Sequence, residues 1–275
     1  MARRPNFIVI LIDDLRFDEF GAGGHPYMKT PYIDRIAHEG ALFERAFHTT
    51  PICSPNRASI LTGQYASRHG IIDNVARDAA SHRIPNYHLD LQRLGYETAH
   101  IGKWHMGNDG KRRPGYDYWV AYDGHGKLND PLLNEHGKYV QHSGYITDIM
   151  NDMAVDFVKR QHDKPWSLWF AHKAVHPDAE QAADGTIRMD GYRVAKRHEN
   201  LYRGCVFPKK PNMQNPQEFL KHKPVWTEAV ELRKSAQSRA IMDPLHSCEQ
   251  EEIRLRACMM ASVDEGVGML FEALE

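Results

Sequence analysis

The chain has 275 residues, 41% of them hydrophobic and 26% charged, with a formal net charge of −1. That length holds one large α/β domain or two small ones, and the composition is that of a soluble globular protein rather than a disordered or fibrous one. A charge this close to zero provides no long-range field to gather nucleic acid or an anionic membrane, so neither is expected as a partner.

The N-terminal Met1-Ala2-Arg3-Arg4-Pro5-Asn6 runs straight into the apolar stretch Phe7–Ile12. No secretory apolar region fits before it, and no stretch is long enough to span a bilayer. The sequence as written therefore reads as cytoplasmic, or as periplasmic or secreted where a leader has been removed. Phe7–Ile12 is mostly β-branched and ends abruptly in Asp13-Asp14, the pattern of a strand buried on both faces of a parallel sheet. Thr30-Pro31 supplies an N-cap and a first-turn proline for a short helix with Ile33, Ile36 and Ala37 on its apolar stripe, stopped by Gly40. Pro55 to Thr62, closed by Gly63, and Leu89 to Leu94, closed by Gly95, read as two more helices. The second leads into a strand near Thr98–Gly102.

Lys111 to Gly144 is rich in Gly, Asp, Asn and Tyr and reads as long active-site loops. Ile146, Ile149, Met150, Met153, Ala154, Phe157 and Val158 then recur at helical spacing. Asp163-Lys164-Pro165 breaks that helix, and Trp166–His172 reads as the next buried strand. Lys173 to about His246 has little periodicity and reads as an excursion over the sheet. Glu249 to Leu274 is helical again, with Ile253, Ala257, Met260, Ala261, Val267, Leu270, Phe271 and Leu274 on one face. Strands alternating with helices predict a mostly parallel α/β sheet sandwiched by helices, one catalytic unit over residues 1–275. The chain stops inside the last turn of the final helix, where such a fold turns back into another strand. The expectation is a sheet incomplete on its C-terminal side, with some site residues absent, because ligands gather at the carboxyl ends of strands.

Four cysteines, Cys53, Cys205, Cys248 and Cys258, are widely spaced and form no CxxC pair, so disulfides are not required. Cys53-Ser54-Pro55-Asn56-Arg57 is the sharpest chemical signal. Pro55 suits a first helical turn, which sets Cys53 beside exposed backbone N–H groups that favour an anion. Arg57, one turn on, can bring its guanidinium to the same helix end. The plain alternative is a small apolar cysteine packed before a helix, with Arg57 on the surface. Asp13-Asp14 offers two carboxylates to a hard divalent cation, or is a solvated turn. Lys103-Trp104-His105 follows a strand, and alternation would place Lys103 and His105 on one side of the extended backbone. The alternative is a surface loop anchored by Trp104. His176 sits just past a strand end, in a chain with 17 histidines, where a lone one is more often structural.

Cys53-Ser54-Pro55-Asn56-Arg57 followed by Ala58-Ser59-Ile60-Leu61-Thr62-Gly63 resembles the signature of the type I, formylglycine-dependent sulfatases of the alkaline phosphatase superfamily. Asp13-Asp14-Leu15-Arg16, Thr30 to Ala37, Gly95 to Thr98 with Gly102 to Gly107, Gly144 to Asp148, and His172 to His176 resemble further family segments in family order. Little detailed match is found over 177–245. The resemblance implies an alkaline-phosphatase-like fold and sulfate ester hydrolysis. It implies that a formylglycine-generating enzyme converts Cys53 to formylglycine, and that one hydroxyl of the aldehyde hydrate attacks sulfur while loss of the other's proton expels sulfate. Arg57 and Lys103 would hold the hydrate and the developing charge, His105 would be the base, and His176 would bind sulfate and help the leaving oxygen. Asp13, Asp14 and the modified Cys53 would hold Ca²⁺, with Mg²⁺ the alternative.

The family also uses an Asp-Asn pair before a glycine and a further lysine. No such motif follows residue 200, since Val263-Asp264-Glu265-Gly266 falls within the last helix. The metal shell is therefore expected to be half-filled and unaided activity doubtful, with bare apolar area on the last helix favouring an oligomer. The substrate expected is a sulfated small molecule or sulfated sugar. The competing readings are a phosphonate or phosphate ester hydrolase of the same superfamily and a non-catalytic fragment.

Overall fold

A computed structural model of the chain describes residues 4–182, 184, 186–208 and 250–275. Apolar runs too hydrophobic to be solvated pair along their full length: β1 (Phe7–Ile12) lies parallel to β6 (Trp166–His172), with Phe7 opposite Ser167 and Ile12 opposite His172. On its other side β6 pairs in parallel with β2 (Glu97–Gly102), and β2 with β3 (Tyr118–Ala121). The hairpin of β4 (Leu132–Glu135) and β5 (Lys138–Gln141) adds two antiparallel strands, giving the order β1-β6-β2-β3-β4-β5. The sheet is mixed, with a parallel core as expected.

Period-two alternation divides the core between the two faces of this sheet. Leu168 and Phe170 turn to one face with Ala99 and Ile101, and pack against α6 (Ile146–Lys159) and α7 (Gln250–Leu274). Trp169 and Ala171 turn to the other, joining Trp104, Trp119 and the inner residues Ala58 and Leu61 of α2 (Cys53–Thr62). Among the described residues no helix is long and apolar enough to cross a membrane.

Several expectations need correction. The segment expected to be loops, Lys111 to Gly144, contains β3, β4 and β5. These strands are four residues each: β3 is a buried apolar run too short to stand out in that segment, and β5 is exposed throughout. β1 is half-buried rather than sealed on both faces, because among the described residues it has β6 on one side only. Residues 173–208 hold a hairpin, β7 (Asp178–Gln181) with β8 (Ile187–Gly191), where an irregular excursion was expected; 209–246 and Glu249 lie outside the described residues. The helix expected to open at Leu89 begins at Tyr87, after an Asn86 side chain that accepts from His88 and Leu89 N–H.

Thr30 does not cap α1 (Pro31–Glu39) with its side chain. Its hydroxyl instead donates to Asp34 (2.9 Å) and accepts from the Gly21 N–H (2.8 Å). The cap comes from Asp264 of α7, whose Oδ1 accepts the N–H groups of Tyr32 (3.1 Å) and Ile33 (2.9 Å). A carboxylate at a helix start stabilises the orphan donors wherever it comes from in the chain. Asp264→Ala is therefore expected to destabilise the fold by about 0.5–2 kcal/mol, the usual worth of a cap, read as a lowered urea midpoint with α7 still helical.

His88 and His172 are buried in the core, and burial pushes the pKa of each down to about 3. The unfolded chain binds these protons near pH 6.5, whereas the folded chain resists them down to about pH 3. The stability is thus intact above about pH 6.5 and is lost as pH falls, at about 1.4 kcal/mol per pH unit for each ring. Urea unfolding between about pH 7 and about pH 5 should show this slope, and His172→Phe should flatten it.

Candidate active site

The parallel core places three neighbouring strand ends side by side, and each delivers charged residues. β1 ends in Asp13-Asp14, β2 runs into Lys103 and His105, and β6 runs into Lys173 and His176. Cys53 occupies the first turn of α2, and Arg57, one turn on, is buried. Lys103 and His105 do converge on this place, but not by strand alternation. β2 stops at Gly102, and His105 takes a left-handed backbone, φ 50°. Trp104 between them anchors no surface loop: it is buried in the core and donates its Nε1–H to Ser81 Oγ (2.8 Å).

Asp13 is the hub. Its carboxylate accepts from Lys103 Nζ and lies 3.2 Å from an Arg57 nitrogen. Arg57 also donates to the Lys103 carbonyl (2.5 Å), so the two cations are tied to each other. Burial alone would raise the Asp13 carboxyl, but Lys103, then Arg57 and His176, outweigh it and hold it well below the carboxylate range. Asp14 goes the other way, raised by desolvation and by the charge of Asp13, although its side chain keeps 43% of its surface. Lys103 Nζ is 3.9 Å from Cys53 Sγ and 3.1 Å from His125 Nδ1. Burial raises the Cys53 thiol more than Lys103 lowers it, so an unmodified thiol here is a poor nucleophile.

His176 donates from Nδ1 to the Pro177 carbonyl (2.7 Å) and brings Nε2 within 3.9 Å of Asp14. Its pKa is pushed down to about 3, by burial first and Lys103 second. His125 stacks on His176 at 4.6 Å and lies 4.1 Å from the His105 ring. A cavity of about 170 Å³ opens between Asp13, Asp14, Cys53, Arg57, His48 and Asn56. One ligand atom each of Asp13, Cys53 and His176 lies within 4.8 Å of the others, close enough to share an ion.

The structure thus brings together Asp13, Asp14, Cys53, Arg57, Lys103, His105 and His176. It adds three residues that the sequence did not single out: His125, Gln181 and Asn74. His125 comes from the Lys111 to Gly144 segment, whose composition reads as loops; the Gly124-His125-Gly126 setting is the one signal the sequence offers for it. Gln181 on β7 meets His105, and Asn74 meets both Gln181 and the Ser54 N–H. Neither has a sequence signature. Lys173, left without a role, is buried beside the site, and burial brings its pKa down to about 7.

A parallel-cored sheet carrying its charged residues at the strand ends makes this an α/β protein with its candidate site where such folds bind ligands. The model of the sulfatase family matches residues 5–275, and the chain belongs to that family. It is 32% identical over 216 residues to an N-acetylglucosamine-6-O-sulfatase of Bacteroides thetaiotaomicron, a match covering 77% of this chain and 35% of that protein. It is 32% identical over 229 residues to the Homo sapiens N-acetylgalactosamine-6-sulfatase, covering 70% of this chain and 44% of that one. A solved structure of a protein in complex with its substrate, D-glucosamine-2-N,6-O-disulfate, superposes with TM-score 0.75 at 25% identity, over 99% of this chain and 62% of that one. The chain spans less than half the length of these two curated relatives.

Lys103→Met should leave Asp13 buried with Arg57 alone. Removing one partner of a buried ion pair costs about 3–5 kcal/mol, which urea unfolding will register. The double variant Asp13→Asn with Lys103→Met should recover a large part of that loss, since no uncompensated charge remains.

Proposed function

We propose that this chain carries the catalytic half-site of a sulfate ester hydrolase whose nucleophile is made from Cys53 by a formylglycine-generating enzyme. The observation that carries the reading is the convergence of buried Arg57 and Lys103 beside Cys53, at the start of a helix whose signature segment runs from Cys53 to Gly63. Two desolvated cations and a helix N-terminus suit a tetrahedral oxyanion. The names of the relatives support a sulfated sugar, with a 6-sulfated hexosamine the first to test.

A divalent cation fits here. Asp13, Cys53 and His176 have donor atoms within 4.8 Å, and the raised Asp14 is a carboxylate in want of positive charge. Asp13, Asp14 and residue 53 would hold it, with His176 alongside. A carboxylate-rich set favours calcium over magnesium, but the described residues offer fewer than the 6–8 oxygens calcium takes, so affinity should be weak. Once in place, the cation would polarise the sulfate oxygens and the hydrated formylglycine would supply the attacking hydroxyl.

The chain's own residues do the rest. Arg57 and Lys103 neutralise the charge that grows on sulfate oxygens. His105 accepts the proton whose loss releases sulfate. His176 would bind a sulfate oxygen and assist the leaving oxygen from beside the cation.

The test is co-expression with a formylglycine-generating enzyme, followed by mass spectrometry of the Cys53 peptide and a fluorogenic hexosamine 6-sulfate assay with calcium. Conversion to the aldehyde is expected, and whatever turnover the chain supports should be abolished by Cys53→Ala and cut about a hundredfold or more by Lys103→Ala. Full recovery of the free thiol beside a working modifying enzyme would refute the proposal.

A further inference from the structure

A neutral imidazole carries its proton on one nitrogen, and the partner of the other nitrogen decides which. Gln181 is the informative partner of His105. Its amide nitrogen donates to the Asn74 backbone carbonyl, which fixes the orientation of the amide. The Oε1 facing His105 Nε2 at 2.7 Å can then only accept, so Nε2 carries the proton. Nδ1 is left with the lone pair, buried and without a hydrogen-bond partner. The neighbouring His125 meets the reverse polarity. The Lys103 ammonium has no lone pair, so His125 Nδ1 accepts from it at 3.1 Å. His125 Nε2, also buried without a partner, must carry the proton.

We infer that Gln181, oriented by Asn74, is a positioning residue that locks His105 in the Nε2–H tautomer with a bare Nδ1, while Lys103 locks His125 with a free Nε2–H. Two imidazoles 4.1 Å apart thus offer the site one lone pair and one proton. Burial, before any charge effect, keeps both rings neutral. The lock is joined to the helix of Cys53: Asn74 Oδ1 accepts the Ser54 N–H at 3.0 Å, and the Ser54 hydroxyl donates to the His105 carbonyl. On the sulfatase reading, the bare His105 Nδ1 is the base that releases sulfate, and His125 holds a sulfate oxygen. Those roles rest on that reading, whereas the tautomers do not.

Long-range ¹H–¹⁵N spectra of the metal-free, unconverted chain with ¹⁵N-labelled histidine report each tautomer directly. Signals are assigned with His105→Gln and His125→Gln. Wild type is expected to show, for both rings, a pyrrole-type Nε2 and a pyridine-type Nδ1. Gln181→Leu should convert His105 to a tautomer mixture and leave His125 unchanged, which also certifies folding around Lys103. Gln181→Glu, whose carboxylate can only accept at mildly alkaline pH, should retain the Nε2–H form of His105. A wild-type His105 protonated on Nδ1, or a His105 pattern indifferent to Gln181→Leu while His125 is intact, overturns the proposal. If the leucine variant does not fold, the wild-type and glutamate spectra decide it. In converted protein, Gln181→Leu should slow sulfate release more than sulfate transfer, so that sulfated enzyme accumulates by intact mass. A chain with the expected tautomers that keeps its free Cys53 thiol beside a working modifying enzyme would refute the sulfatase reading and leave the lock standing.

Discussion

A carboxylate cannot be buried alone, and Asp13 is buried. Its cost is met by Lys103 and Arg57, and these two come from different parts of the fold: Lys103 from the end of β2, Arg57 from the first turns of α2. Satisfying one charge therefore fixes where α2 sits over the sheet, and with it the position of Cys53. The Arg57 bond to the Lys103 carbonyl closes a triangle that leaves neither cation free to swing away. Low dielectric makes each of these contacts strong and each missing one expensive, so the cluster is held together as a unit or not at all.

The sheet order makes such a cluster feasible. β1, β6 and β2 are adjacent and parallel, so their carboxyl ends open at one level and the residues that follow them fall within side-chain reach. The two faces are covered differently. α6 and α7 seal one face with aliphatic and methionine side chains, and α7 also steadies the end of β1 through Arg256, which donates to the Asp14 carbonyl (2.7 Å) and pairs with Glu19. On the other face a layer of Trp104, Trp119 and Trp169 supports α2 and the backbone between Lys103 and His105. Rigid packing there holds His105 in a left-handed backbone that a free loop would rarely adopt.

Much of the architecture was legible because it was written in local patterns. Phe7–Ile12 and Trp166–His172 are apolar runs without an alternative, and α6 shows its stripe at helical spacing. The short strands between Lys111 and Gly144 were not legible, since four residues carry too little periodicity, whether buried as in β3 or exposed as in β5. The Thr30 cap was misread for a related reason: the local Thr-Pro pattern is real, but a carboxylate from residue 264 reached the helix start instead.

The sequence by itself determined which residues are chemically able to act: the Cys53–Gly63 segment, the Asp13-Asp14 pair after a strand, Lys103 with His105, and His176 after another strand. Each is a short-range pattern, complete within a few positions. Tertiary structure alone decided their partners. Nothing local says that Lys103 bonds Asp13, 90 positions away, or that Gln181 meets His105 across 76. Nor does anything local place His125 between two other imidazoles. Proton positions and charge states follow from those long-range contacts and from burial, and both arise only when the sheet brings distant strand ends together.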